Sequence, residues 1–126
     1  MRTRHFKELL VWQRAMELAR QVYRVTQGFP KDEIFGLRAQ LRRAAVSVPG
    51  NIAEGHGRLS DPLFRTFLAQ ARGSLYEVET QLMLAADFGY IGAEDATQLQ
   101  QVCDEVARML HGLLNSLKAK ATTVKR

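Results

Sequence analysis

The sequence predicts an all-α fold, an antiparallel up-down four-helix bundle forming one domain over residues 1–126. Three observations predict it. A chain of 126 residues has the length of a single domain. It can bury roughly two thirds of its extended surface, enough to fold without disulfides or metal. Turn signals divide it into four pieces, at Gly28-Phe29-Pro30, at Gly55 through Pro62, and at Gly89-Tyr90-Ile91-Gly92. Within each piece the apolar residues recur at alternating spacings of three and four, which places one apolar seam along each helix.

The predicted helices run over about 6–27, 32–56, 62–88 and 93–120. The first carries the seam Val11, Ala15, Leu18, Val22 and Val25. The second carries Ile34, Leu37, Leu41, Ala44 and Val48, and the pattern continues to Ile52. Pro49 interrupts it, because a proline inside a helix removes a hydrogen bond and crowds the preceding turn, at about 3 kcal/mol. Because the seam continues past it, a helix bent at Pro49 and running on to Glu54 is expected. The third helix starts at Pro62 behind a capping Ser60 or Asp61, with the seam Phe64, Leu68, Ala71, Leu75, Val78, Leu82 and Ala85. The fourth has Leu99, Cys103, Val106, Leu110, Leu113 and Leu117. Gly55-His56-Gly57 reads as a helix end and turn, since no Gly-Lys-Ser/Thr follows to make a phosphate loop.

The first helix has a second apolar stripe, Leu9, Trp12, Met16, Ala19 and Tyr23. A wide core face would account for it, and so would a subunit interface. Trp, Tyr and Met favour interface cores, so self-association through Leu9, Trp12, Met16 and Tyr23 is expected.

Little in the sequence points to catalysis. Di-iron bundles need Glu-x-x-His pairs, and none of His5, His56 and His111 has Glu three positions before it. No Arg precedes His56 or His111 by four to six residues, the pattern of some helical ribonucleases. A single cysteine excludes a disulfide framework, and Cys103 sits on the fourth seam as a core residue. Glu77 and Glu79 point about 200° apart on one helix, and Glu54 could meet Glu77 only through the tertiary fold. The expectation is a non-enzymatic protein with no metal, no cofactor and no small-molecule substrate. No apolar stretch approaches the roughly 20 residues that span a bilayer. Met1-Arg2-Thr3-Arg4-His5 leads into no secretory apolar region, so a cytoplasmic location without membrane contact is expected.

The charge is more informative. Eighteen Lys and Arg against thirteen Asp and Glu leave +5. Residues 1–60 hold eleven basic and five acidic residues, while residues 61–126 hold seven and eight. Arg38 and Arg42 lie one turn apart on the second helix, with Arg43 further round. Arg14, Arg20 and Arg24 line the first. Such a surface can hold RNA or DNA phosphates with little sequence preference. The same arginines can equally serve as ion-pair partners of Glu17, Glu33, Glu77 or Glu79, which would leave a protein-interaction scaffold.

Three stretches carry a family likeness. Phe6-Lys7-Glu8-Leu9-Leu10-Val11-Trp12-Gln13 followed by Phe29-Pro30-Lys31-Asp32-Glu33 is the first. Gln40-Leu41-Arg42-Arg43-Ala44-Ala45-Val46-Ser47-Val48-Pro49-Gly50-Asn51-Ile52-Ala53-Glu54-Gly55 is the second and most specific. Ala71-Arg72-Gly73-Ser74-Leu75-Tyr76-Glu77-Val78-Glu79-Thr80-Gln81-Leu82 is the third. Together they resemble the "four helix bundle protein" family, encoded by intervening sequences of bacterial 23S rRNA genes and often labelled S23 ribosomal proteins. The likeness spans about residues 5–117. It departs by conservative swaps, such as Leu41 and Val48, where the family often has isoleucine, and Gly50, where it often has serine or alanine. The resemblance implies a four-helix bundle that tolerates Pro49 and assembles as a homopentamer. A more distant likeness, to the accessory variability determinant proteins of diversity-generating retroelements, implies a basic pentamer that binds nucleic acid and a reverse transcriptase. The family at large has no established biochemical activity.

Overall fold

The structure, a computed structural model, describes the backbone of residues 5–124 and the side chains of residues 5–118. Arg2 and Arg4 lie outside the described residues. Four helices follow in order: α1 (Leu10–Thr26), α2 (Leu37–Gly57), α3 (Asp61–Asp87) and α4 (Ala93–Val124). Short 3-10 turns at Phe6–Glu8 and Lys31–Glu33 precede α1 and α2. Each helix packs on its chain neighbours, α4 closes the ring against α1, and among the described residues the backbones of the diagonal pairs do not approach closely. Short connections make neighbours antiparallel, as an up-down bundle requires.

The seams form the core. All five seam residues of α1 and all seven of α3 are buried. On α4, Leu99, Cys103, Val106, Leu110 and Leu117 are buried, while Leu113 is half-buried. On α2, Leu41, Ala44, Val48 and Ile52 are buried, but Ile34 is 40% exposed and precedes the helix. The second helix thus begins at Leu37 rather than near residue 32. The 3-10 turn and Gly36 intervene, and the Glu33 carboxylate, Oε1, accepts the Leu37 backbone N–H at 2.9 Å, capping the first turn from outside. The other Glu33 oxygen accepts from the Tyr90 hydroxyl at 3.0 Å. That contact ties the α1–α2 connection to the α3–α4 connection. Tyr90 also packs between Phe29 and Phe88, with ring centroids 5.4 and 5.5 Å away. Accepting that bond, Glu33 favours the neutral phenol and raises the Tyr90 pKa above its ordinary value, as do desolvation and the Glu33 charge.

α2 runs without interruption through buried Pro49 to Gly57. Opposite, Ser47 and Ser74 hydroxyls meet at 2.8 Å, and Asn51 Nδ2 donates to both Ser47 O and Ser47 Oγ at 2.9 Å. Gly55 proves to be a packing residue inside α2. A Cβ there would lie 2.6 Å from Phe67 Cβ and 3.1 Å from Phe64 Cδ1. The left-handed residue of the α2–α3 turn is Leu59, at φ 59°, and not a glycine.

Candidate nucleic-acid interface

The arginines singled out from sequence take different roles. Arg14 Nη2 donates to Glu105 Oε1 at 2.7 Å and joins α1 to α4. Arg24 pairs with Asp95 at 3.5 Å across the same interface. Arg20 lies 3.9 Å from Glu17 on its own helix, an exposed pair worth little. Arg42 is the most constrained. Its Nε donates to Thr26 Oγ1 at 2.7 Å, its Nη2 donates to Tyr23 O at 3.1 Å, and its guanidinium sits 4.4 Å over the Tyr23 ring. Thr26 is buried and donates its own proton to Val22 O at 2.7 Å, so Arg42 completes its hydrogen bonding.

Arg38 and Arg43 make no hydrogen bond or ion pair among the described residues. With Arg42, Tyr23, Ile34 and Ala39 they line a groove of about 560 Å³ on the α1–α2 flank. No carboxylate lines it. Phe35, 95% exposed, stands in the turn just before α2. In the sequence the only signal for Phe35 was an apolar residue off the helical seam.

The apolar stripe on α1 divides. Leu9 and Trp12 are half-buried against the bundle's own core, and Ala19 is buried. Met16 and Tyr23 remain at the surface, lining a shallow groove with Arg20, Arg24 and Gln27. A second exposed apolar surface lies on α3, where Tyr76 and Met83 are two turns apart and face away from the core. Its signal was legible on a helical wheel, opposite the α3 seam.

Other candidate chemistry is accounted for by local contacts. Glu54 pairs with Arg58 one turn on, at 2.6 Å. Glu79 accepts from Gln100 at 2.9 Å. Cys103 is buried, and desolvation first, then the Glu79 and Asp104 charges, push its thiol up to about 12. Among the described residues no three His, Cys, Asp or Glu side chains converge on a metal-sized site. No helix among them is long and apolar enough to cross a membrane.

The fold and surface define a small all-α four-helix bundle with arginine-lined grooves. The chain belongs to the family described as "23S rRNA-intervening sequence protein", which matches residues 7–112. It is also similar to a crystal structure from Bacteroides thetaiotaomicron, described as a protein with unknown function from the S23 ribosomal protein family. The two share 21% identity with a TM-score of 0.78, over 84% of this chain and 96% of that one, a likeness of fold. No curated protein matches.

Proposed function

We propose that this protein is a non-enzymatic, cytoplasmic homo-oligomer, a pentamer, that binds RNA or DNA through phosphate contacts. The observation that carries the reading is the α1–α2 groove. Three guanidinium groups line it, two of them without a hydrogen bond or ion pair among the described residues, and no carboxylate shares that lining, although Arg43 also borders a neighbouring cleft that holds Glu77. Guanidinium groups suit bidentate phosphate contacts, and the exposed Phe35, next in sequence to the groove-lining Ile34, offers a face on which an unpaired base can stack. Assembly multiplies the +5 of one chain and strengthens its field. The surface groove at Met16 and Tyr23 and the apolar pair Tyr76 and Met83 supply surface for that assembly.

Gel shifts with structured RNA and duplex DNA over a salt series test the reading. Binding at low salt is expected to weaken steeply as salt rises. Arg38→Glu with Arg43→Glu should weaken it at least tenfold and flatten the salt slope. These two are the informative positions, because Arg42 also holds α1 to α2. Absence of any shift at low salt would defeat the nucleic-acid reading. Light scattering tests the assembly, with five times the 14.2 kDa chain mass expected and a clean monomer at micromolar concentration refuting it.

A second reading is a protein-interaction scaffold with structural arginines. The pairings of Arg14, Arg24 and Arg42 favour it. An assembled protein that shifts no nucleic acid would select it.

A further inference from the structure

The second half of the chain carries nearly equal numbers of acidic and basic residues, yet among the described residues the fold separates all but Asp61 of the acids from Arg65 and Arg72. α3 and α4 are antiparallel neighbours, with Glu79 of α3 bonded to Gln100 of α4. Residues 62–76 therefore lie beside residues 106–118. Neither stretch contains an Asp or Glu, and together they hold Arg65, Arg72, Arg108 and Lys118. The acids Glu77, Glu79, Asp87, Glu94, Asp95, Asp104 and Glu105 fall toward the other end of the pair. Asp61, one turn before Arg65, is the nearest carboxylate in sequence and is not among the cleft's lining residues.

Between the two basic stretches lies a cleft of about 450 Å³, lined by Arg65, Thr66, Arg72, Asn115 and Lys118 together with the apolar Ala69 and Leu114. Arg65 and Arg72 make no hydrogen bond or ion pair among the described residues. Arg65 Nε is moreover shielded from solvent and bonds nothing. Nε is as closed to an anion as to water, so what a ligand in the cleft can meet is the rest of the half-buried Arg65 and Arg72 guanidinium groups, which have no partner among the described residues to offset their lost hydration.

We propose that this cleft binds a phosphoryl oxyanion, with Arg65 and Arg72 as its two fixed cations. The chemistry selects the ligand. Arginine presents a planar fork that matches phosphoryl oxygens and stays charged at every physiological pH. The two arginines are seven residues apart, two helical turns or about 10 Å along α3, so their long side chains can grip opposite ends of one ligand. That spacing and the cleft volume suit a chain of two or more phosphoryl groups better than a single one. Asn115 contributes an amide donor at the rim, whereas the Thr66 hydroxyl donates to Pro62 O at 3.1 Å. The cleft is distinct from the α1–α2 groove and does not depend on the function proposed for it.

Such phosphoryl groups belong either to a free polyphosphate chain or to a polynucleotide backbone, and two titrations of the full chain separate the sources. Calorimetry with sodium pyrophosphate probes the first, and anisotropy of a labelled single-stranded oligonucleotide probes the second. Each is repeated on Arg65→Gln, Arg72→Gln and, as a control at the other groove, Arg38→Gln, with helix content checked by circular dichroism. Arg65→Lys keeps the charge without the fork and serves if either glutamine variant loses helix content. Pyrophosphate binding that falls at least tenfold in the α3 variants and persists in Arg38→Gln supports the site with a free ligand. Oligonucleotide binding that falls likewise, without pyrophosphate binding, supports it with a backbone ligand. If neither ligand responds to Arg65 or Arg72, the proposal is overturned. Failure of gel shifts at the α1–α2 groove would leave the pyrophosphate result standing.

Discussion

Arg14, Arg24 and Arg42 end on Glu105, Asp95 and Thr26, whereas Arg65 and Arg72 end in a cleft that no carboxylate lines. By count the first half of the chain is the basic one. By partner, Arg14, Arg24 and Arg42 of that half are already used to hold α1 against α4 and α2. The second half is nearly neutral by count, yet folding brings Arg65 and Arg72 to one cleft and leaves every acid of that half but Asp61 toward the other end. Net charge per segment therefore says little about which cations are free to meet a ligand. What matters is whether a carboxylate or an orphaned acceptor lies within reach, and that depends on which helices become neighbours.

Both regions hang on one packed frame, and the largest expected effect tests that frame. Raising a thiol pKa from 9 to about 12 cuts the thiolate fraction at neutral pH about a thousandfold. Cys103 should resist alkylation in the native protein and react only on unfolding. Its folded pKa is raised, so its contribution to stability is complete below the unfolded pKa, and is lost as pH climbs from 9 toward 12. Rapid native alkylation would show that the α4 seam around Cys103 is not packed as described.

The next effect concerns the α2–α3 contact between the two regions. Gly55→Ala drives a methyl against Phe67 and Phe64 and should cost about 1–3 kcal/mol in urea denaturation, only partly offset by better helix propensity. Gly73→Ala on α3 meets open space and should gain up to about 1 kcal/mol. Equal outcomes at the two glycines would contradict the close approach at Gly55.

The smaller pair of effects breaks or sharpens the comparison itself. Arg42→Leu removes two hydrogen bonds and the contact over Tyr23, and should lower stability by about 1–2 kcal/mol. Arg65→Leu removes no described bond and should change stability by at most about 0.5 kcal/mol, or raise it. If thermal unfolding ranks them in reverse, Arg65 is a structural residue and the contrast collapses.

The helices were legible because their signal is local. Phe64 through Ala85 on α3 repeats at three and four residues, and every one of those positions is buried. The same holds for Val11 through Val25 on α1. The pattern misled at Ile34, where seam-like spacing runs back across a 3-10 turn and Gly36 into an exposed residue. Spacing cannot see that the backbone has already left the helix. Gly55 was read as part of a helix end, because its neighbour Phe67 lies across a turn. The α1–α2 groove was partly legible, since Arg38 and Arg42 stand one turn apart. Its division of labour was not, because Thr26 and Arg42 are sixteen residues apart.

The sequence by itself determined the number of helices, the buried face of each and the family motifs. Those depend on side-chain order along one rotating axis, which a helix of 3.6 residues per turn makes readable. Only the tertiary structure decided which arginines are spent and which are free. Ion pairs and clefts form between side chains tens of residues apart in sequence, as with Arg14 and Glu105, or Arg65 and Asn115. Their juxtaposition is set by antiparallel packing, and averaging charge along the chain erases it.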